Sequence, residues 1–402
     1  MDKKNQIQIN TEPKEMGKGT KILYLVIFAV LILVPVAAFL LVQDYVDTTN
    51  YEQRTLAAFP YSEESASDGE PTTYATAASE FESWFEDHLP FRNQLLTLYG
   101  LFEYEVLKTS TSDSVIVGKD GWLFYKGSQV AGEDPVGDYM GTNLLTNEEL
   151  ETIAANFTAA RDELAAMGCE FYVYFAPNKE RVYSEYMPDM YGEVSEVSAL
   201  SQVVEYLTEN TDLNVICAYD DLMEFKEENP DTPVYFKYDT HWNMLGAYVA
   251  AGELVEAMGF GFVDLSEVTI TTVDYEDYDL ARLLHLQKIL TDDEYYVLTG
   301  YTPHEMLMET EDDITFHYDT QDYTAPGQKL LVIGDSFSTL LAPYVACHFL
   351  KATSTFYYSY TYDMLLEEAP TVVVYEAVER YIGNMVDFTL EDGYTGSTVE
   401  GE

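Results

Sequence analysis

Leu330-Leu331-Val332-Ile333-Gly334-Asp335-Ser336-Phe337-Ser338 is the stretch that decides how this chain folds. Four consecutive apolar residues without a polar face predict a short strand covered on both sides of a sheet. Gly334 supplies backbone room for a sharp turn, Asp335 can brace it, and Phe337 opens a helix. A strand that runs straight into a helix leaves Ser336 at the carboxyl end of a sheet, where open α/β folds place their ligands. Backbone N–H groups at the start of that helix face the same spot and suit a developing oxyanion.

Working outward, the same alternation recurs. Thr146-Asn147-Glu148-Glu149 is a capping box that opens a helix ending near Gly168. The buried strand 171–176 follows, stopped by Pro177. A helix is predicted over 196–208, a strand over 213–218, a helix over 243–258 and strands over 353–358 and 371–375. Short apolar strands alternating with helices predict an α/β fold with a mainly parallel sheet covered on both faces. Residues 265–325, acidic and Tyr-rich, read as an irregular insertion. Residues 386–402 read as a disordered tail.

The N-terminal side reads differently. Ile22–Val42 is 21 residues without a charge, enough to cross a bilayer of about 30 Å. That length favours an uncleaved membrane anchor over a cleaved signal. The lysines before it and Asp44 and Asp47 after it predict a cytoplasmic tail, 1–21, with the remainder outside. Residues 43–80 read as a stalk, with the acidic stretch Ser62–Pro71 at its centre. Phe81–Tyr104 has helical spacing, broken at Pro90. Val115–Val117 and Leu123–Tyr125 flank an Asp120-Gly121 turn and predict a hairpin. The folded domain is expected to span 81–385.

The full chain of 402 residues carries a net charge of −51, yet 47% of it is hydrophobic, the composition of a globular protein. Residues 1–42 set five lysines against Asp2, Glu12 and Glu15, so the rest carries −53. Such a surface repels phosphate backbones and excludes nucleic-acid binding. Cys169, Cys217 and Cys347 form no CxxC pair and read as small buried hydrophobes. The acidic clusters Asp274–Asp279 and Glu311–Asp313 lack the spacing of a calcium loop and read as solvated faces. No metal or cofactor is expected.

Chemistry enters with Tyr235-Phe236-Lys237-Tyr238-Asp239-Thr240-His241-Trp242-Asn243. Two residues apart in an extended or turning segment, Asp239 and His241 project to one side. Asp239 can orient the imidazole from one ring nitrogen while the other accepts the Ser336 proton. The plain alternative is a capping aspartate and a packed histidine. Asn178 and Lys179 end another strand at the same edge and suit either binding or a strand-ending turn. Glu379 and Arg380 read as a structural ion pair, and Trp122 as a core anchor.

Together these segments resemble the alginate O-acetyltransferase group and its DHHW-type relatives in the SGNH hydrolase-like superfamily. The resemblance rests on Asp239-Thr240-His241-Trp242-Asn243 followed by Gly334-Asp335-Ser336-Phe337. Glu52–Ala57, Asp87–Arg92, Gly118–Tyr125, Ala176–Lys179 and Glu379-Arg380 support it in the same order. It implies an SGNH hydrolase-like three-layer α/β/α sandwich. Ser336 would be the nucleophile, His241 the general base and Asp239 its orienting acid. Gly334, Asp335, Asn178, Lys179, Tyr238 and Trp242 are the candidates for oxyanion and substrate contacts. The resemblance further implies acetyl transfer to hydroxyls of an exported or cell-surface polysaccharide on a bacterial surface. With one span and no acyl-CoA signature, the chain would draw its acyl groups from a multi-spanning membrane O-acyltransferase. A glycan acetyl esterase and a non-catalytic surface assembly protein stay open beside that expectation.

Overall fold

The computed structural model describes residues 17–46, 49, 55–61, 76–128, 133–276, 278–291, 295–302, 304–310, 312, 314–321 and 327–396. They divide into two units, Met1–Leu98 and Tyr99–Glu402. In the first, Lys18–Val42 is one helix with Pro35 inside and no charge after Lys21. It is the one helix among the described residues long and apolar enough to cross a membrane. The helical pattern around Pro90 is two helices, Ala77–Asp87 and Arg92–Phe102. Between them Pro90 cannot continue a hydrogen-bonded turn. Asp87 accepts the Ala57 N–H at 2.8 Å and lies 3.9 Å from Arg92. Glu52–Arg54 and the acidic stretch 62–71 lie outside the described residues.

In the second unit the first strands form the hairpin. β1 (Val115–Val117) pairs antiparallel with β2 (Leu123–Tyr125), and Asp120 and Gly121 turn with φ of 53° and 77°. There follow β3 (Glu170–Ala176), β4 (Asn214–Cys217), β5 (Thr269–Val273), β6 (Tyr295–Thr299), β7 (Met306–Thr310), β8 (Thr315–Thr320), β9 (Lys329–Gly334), β10 (Lys351–Phe356) and β11 (Val372–Val378). Seven of these form one sheet in the order β4-β3-β11-β9-β10-β8-β7. The first five run parallel, and β8 and β7 add antiparallel to the far edge.

Alternation along the central strands makes the layers. Tyr172, Tyr174, Val332 and Val374 enter a core with Leu245, Ala250, Leu254 and Leu341 from helices Met244–Ala257 and Ser336–Ala346. Their neighbours Phe171, Val173, Leu331 and Val373 enter a second core with Ile153, Phe157 and Val203 from helices Asn147–Ala166 and Ala199–Asn210. The period of two thus loads both faces of the sheet, giving the α/β/α sandwich with a mainly parallel sheet. Thr146 caps its helix as its sequence predicts: its side chain takes the Glu149 N–H and Glu149 takes its own.

Two stretches differ from the reading of the sequence. Residues 265–325 hold β5 to β8 and the helix Asp279–Leu283. β5 is exposed at every position and β7 nearly so, so neither carries the apolar run that marks a strand. The tail is ordered through 396, with β12 (Phe388–Thr389) pairing β13 (Gly393–Tyr394). The Phe388 ring packs 4.6 Å from that of Tyr375 and anchors the segment. Residues 397–402 lie outside the described residues.

Candidate active site

β3, β11 and β9 are adjacent and parallel and end at Ala176, Val378 and Gly334. Asn178-Lys179, Glu379-Arg380 and Asp335-Ser336 therefore emerge at one edge of the sheet. Gly334 is required by packing, because a Cβ there would stand 2.6 Å from Glu376 Oε2 and 2.7 Å from Ser338 Cβ. Asp335 caps the helix that starts at Ser336: its Oδ1 accepts the Phe337 N–H at 2.9 Å and its Oδ2 the Val378 N–H at 2.7 Å. Its own N–H goes to Glu376 Oε2 at 3.0 Å. Burial, then the Asp335 charge, pushes the Glu376 carboxyl well above its usual range. Asp335 is thus a brace, with both oxygens and the N–H committed.

The opposing loop is closed on itself. A bridge pairs Tyr235 with Trp242, the Phe236 N–H reaches His241 O at 3.2 Å, and the Asn243 N–H reaches Val234 O at 3.0 Å. Asn243 then caps helix Met244–Ala257 through the Gly246 N–H at 2.9 Å. Lys179 secures this loop from below. It is 1% exposed, and its ammonium donates to the carbonyls of Leu123, Lys237 and Asp239 at 2.7, 2.9 and 2.9 Å.

Held this way, the loop brings the imidazole to the serine. His241 Nε2 lies 2.7 Å from Ser336 Oγ, and Nδ1 lies 2.7 Å from Asp239 Oδ1. With Nδ1 protonated toward the carboxylate, Nε2 presents a lone pair to the hydroxyl. Asp239 Oδ2 accepts the Asp279 N–H at 2.9 Å. Burial works against the Asp239 charge, but the His241 hydrogen bond and charge, with two backbone donors, outweigh it and hold the carboxyl at about 2. Burial likewise lowers the His241 pKa, yet Asp239, and then Asp279, carry it above the ordinary imidazole value.

Asp279 is the residue that reading the sequence missed, because it sits in an acidic run read as solvated. Its Oδ1 accepts the Thr240 N–H at 2.9 Å, its Oδ2 the Thr240 hydroxyl at 2.6 Å, and Oδ2 lies 3.8 Å from His241 Nδ1. Burial, and next the Asp239 charge, raise its carboxyl to about 6. The signal available in sequence was only its place at the start of a short helix. Asp277, Glu311 and Asp313 of the acidic clusters lie outside the described residues. Asp239, His241 and Asp279 offer ligand atoms within 4.8 Å of one another, a spacing that suits a cation. Both imidazole nitrogens are already engaged by Asp239 and Ser336, so the hydrogen-bonded chain and a metal would compete for His241.

The other candidate residues stand behind this edge. Trp242 is fully buried, its Nε1 donating to Phe337 O at 3.2 Å and its ring 4.9 Å from that of Phe337. Asn178 is 1% exposed, and its Nδ2 donates to Asp138 Oδ2 at 3.2 Å. Tyr238 lies half-buried beside Tyr278. Gly334, Asp335, Asn178, Lys179 and Trp242 have almost no surface to offer a substrate; they shape the two segments that meet. Trp122 packs in the core against Tyr183 at 4.4 Å. The expected Glu379–Arg380 ion pair is replaced by another. Glu379 pairs with Arg181 at 2.8 Å, because Arg181 rises from the turn after β3 directly beside the end of β11. All three cysteines are free.

A serine at the end of a central parallel strand, met by an Asp-x-His loop in a three-layer sandwich, defines an SGNH hydrolase-like protein. A family model described as the SGNH hydrolase-like domain of acetyltransferase AlgX matches residues 115–350, and the chain belongs to that family. It is 23% identical over 181 residues to a probable alginate O-acetylase AlgJ of Pseudomonas putida, a match covering 45% of this chain and 43% of that one. It is 24% identical over 194 residues to the corresponding protein of Azotobacter vinelandii, with 47% and 45% covered. The chain thus spans less than half the length of these curated relatives. A DHHW family protein from Eubacterium siraeum has the same fold, with a TM-score of 0.50 at 14% identity over 69% of this chain and 99% of that one.

Proposed function

We propose that this chain is a membrane-anchored O-acetyltransferase that works outside the cytoplasm on hydroxyls of a cell-surface or exported polysaccharide. The observation that carries the reading is the unbroken chain of two 2.7 Å contacts from Asp239 through His241 to Ser336. Ser336 Oγ attacks the acetyl carbonyl while Nε2 takes its proton. The imidazolium, stabilised by Asp239, returns that proton to the leaving group, and an acetyl-serine remains. A sugar hydroxyl then gives its proton to Nε2 and attacks the acetyl carbon; the bond to Ser336 Oγ breaks, and Oγ takes the proton back from Nε2. The Ser336 N–H, at the helix start, would donate to the oxyanion. Helix Lys18–Val42 would hold the domain at the membrane with its N-terminus inside, where a multi-spanning O-acyltransferase can hand over acetyl groups.

The test offers the full chain in detergent an activated acetyl ester, with and without oligosaccharide, beside Ser336→Ala. Ser336-dependent acetylation of the sugar is the expected result. Release of acetate alone would make the protein an esterase. Turnover indifferent to Ser336 would end the enzymatic reading.

A further inference from the structure

Two helices that follow the membrane-spanning one in sequence carry apolar side chains on the outside. On helix Ala77–Asp87, Phe81, Trp84 and Phe85 recur at i, i+3 and i+4, with Glu82, Ser83 and Glu86 exposed on the opposite face. The Phe59 ring joins them, 4.9 Å from that of Trp84. On helix Arg92–Phe102, Leu95 and Leu98 begin a stripe that runs on through Tyr99 and Phe102. Phe59, Phe81, Phe85, Leu95 and Leu98 keep between 41% and 65% of their surface. A helix packed against its own domain turns such a stripe inward. Rings and leucines gathered at helical spacing and left in solvent mark an interaction surface.

What covers that surface follows from where the helices are attached. Phe39, three residues before the end of helix Lys18–Val42, meets Phe91 edge-on at 5.9 Å, and Phe91 lies in the turn that joins the two helices. Asn93 Nδ2 donates to Thr49 O at 3.0 Å, which ties the chain leaving the span to the start of the second helix. These contacts all lie within the first unit. Three helical residues are about 5 Å along the axis, so Phe91 stands level with the last turn of the span, where hydrocarbon gives way to headgroups. Phe, Trp and Leu on one face with charge on the other is the make-up of a helix that lies in that zone. The charged face is acidic, so the affinity comes from burying the rings and not from attraction to anionic lipid.

We infer that helices Ala77–Asp87 and Arg92–Phe102 lie in the membrane interface where the span ends, with Phe59, Phe81, Phe85, Leu95 and Leu98 buried in lipid. The chain then holds the bilayer by a surface as well as by its span. This inference rests on the reading of Lys18–Val42 as a membrane anchor. The full chain carrying Cys217→Ser, its other two thiols being buried, would be reconstituted one copy per phosphatidylcholine nanodisc. An environment-sensitive fluorophore would be placed at Phe85→Cys, Leu95→Cys, Glu82→Cys or, as a control for the anchor, Leu31→Cys. The expected result is blue-shifted emission quenched by nitroxide lipid at Phe85→Cys, Leu95→Cys and Leu31→Cys, and emission quenched only by aqueous iodide at Glu82→Cys. Aqueous quenching at Phe85→Cys or Leu95→Cys, with Leu31→Cys still in lipid, overturns the inference and leaves the anchor standing. Aqueous quenching at all four positions ends the anchor reading as well. Shielding that needs two copies per disc also overturns the inference, because a second copy would then be the cover.

If a labelled variant does not fold, brominated lipid and the unmodified chain decide. Trp122 and Trp242 are buried in the core, which leaves Trp84 as the tryptophan within reach of lipid. A loss of fluorescence on brominated lipid that disappears in Trp84→Phe supports the inference, and fluorescence indifferent to bromination overturns it.

Discussion

Asp239–His241–Ser336 and Asp138–Arg181–Glu379 lie at the carboxyl end of one sheet, and each gathers ionisable side chains from distant segments. The second cluster is closed. Arg181 Nε donates to Glu379, one terminal nitrogen to Ser195 O at 3.0 Å and the other to Asp138 O at 3.2 Å. The Asp138 carboxylate takes Asn143 and Asn178, and all three ionisable residues are buried. The first cluster has an open end. Its hydrogen bonds run one way, from the Ser336 hydroxyl to Asp239, and the His241 and Asp239 side chains keep 24% and 15% of their surface. A network whose charged groups are all paired and buried holds the fold. One that ends in a nucleophile at a partly open edge can meet a substrate.

The contrast can be broken by substitution, beginning where the effect should be largest. Ser336→Ala and His241→Ala should each lower kcat by roughly 10³-fold or more, and the double variant little further, since the two act as a unit. Additive losses in single-turnover assays would show that the two groups act separately. Arg181→Met should cost about 3–5 kcal/mol in denaturant unfolding, because Glu379 is left charged and buried. A loss well under 1 kcal/mol would mean that the closed cluster is not what holds this edge.

Asp279→Asn should reduce kcat/KM by roughly threefold to tenfold. It should also move the acid limb of the pH profile to lower pH. The sign follows from charge: the Asp279 carboxylate holds the His241 pKa up, so removing it makes the imidazole neutral earlier as pH rises. A limb that stayed in place would separate Asp279 from the imidazole. The smallest effect belongs to Asp138, whose carboxyl burial and Glu379 raise to about 8. Its proton favours the fold fully below the ordinary carboxyl pKa, and that contribution fades as pH climbs through about 8. Between pH 7 and 8 the wild type should therefore lose about 2–4 °C in Tm relative to Asp138→Asn. Parallel melting curves would remove Asp138 from the account.

Much of this was legible before any coordinates. The strand-turn-helix around Gly334 and the Asp239-x-His241 pair depend on local rules: apolar runs, turn residues and side-chain direction over two positions. Residues 265–325 were not legible, because exposed strands such as β5 and β7 bury no apolar face that a pattern could register. Lys179 and Trp242 were found as site residues, yet their work is to hold the loop from inside. Sequence shows a cation or a ring but not the carbonyls it will meet.

By itself the sequence determined the class of fold, a helix able to cross a membrane, and the three side chains that meet at the sheet edge. Periodicity and short motifs are written within a few residues of one another. Only the tertiary structure decided that Glu379 belongs to Arg181 and that Asp279 stands behind His241. Those choices depend on which strand ends lie side by side, and β3, β9 and β11 become neighbours only when the sheet closes its hydrogen bonds across some two hundred residues of chain.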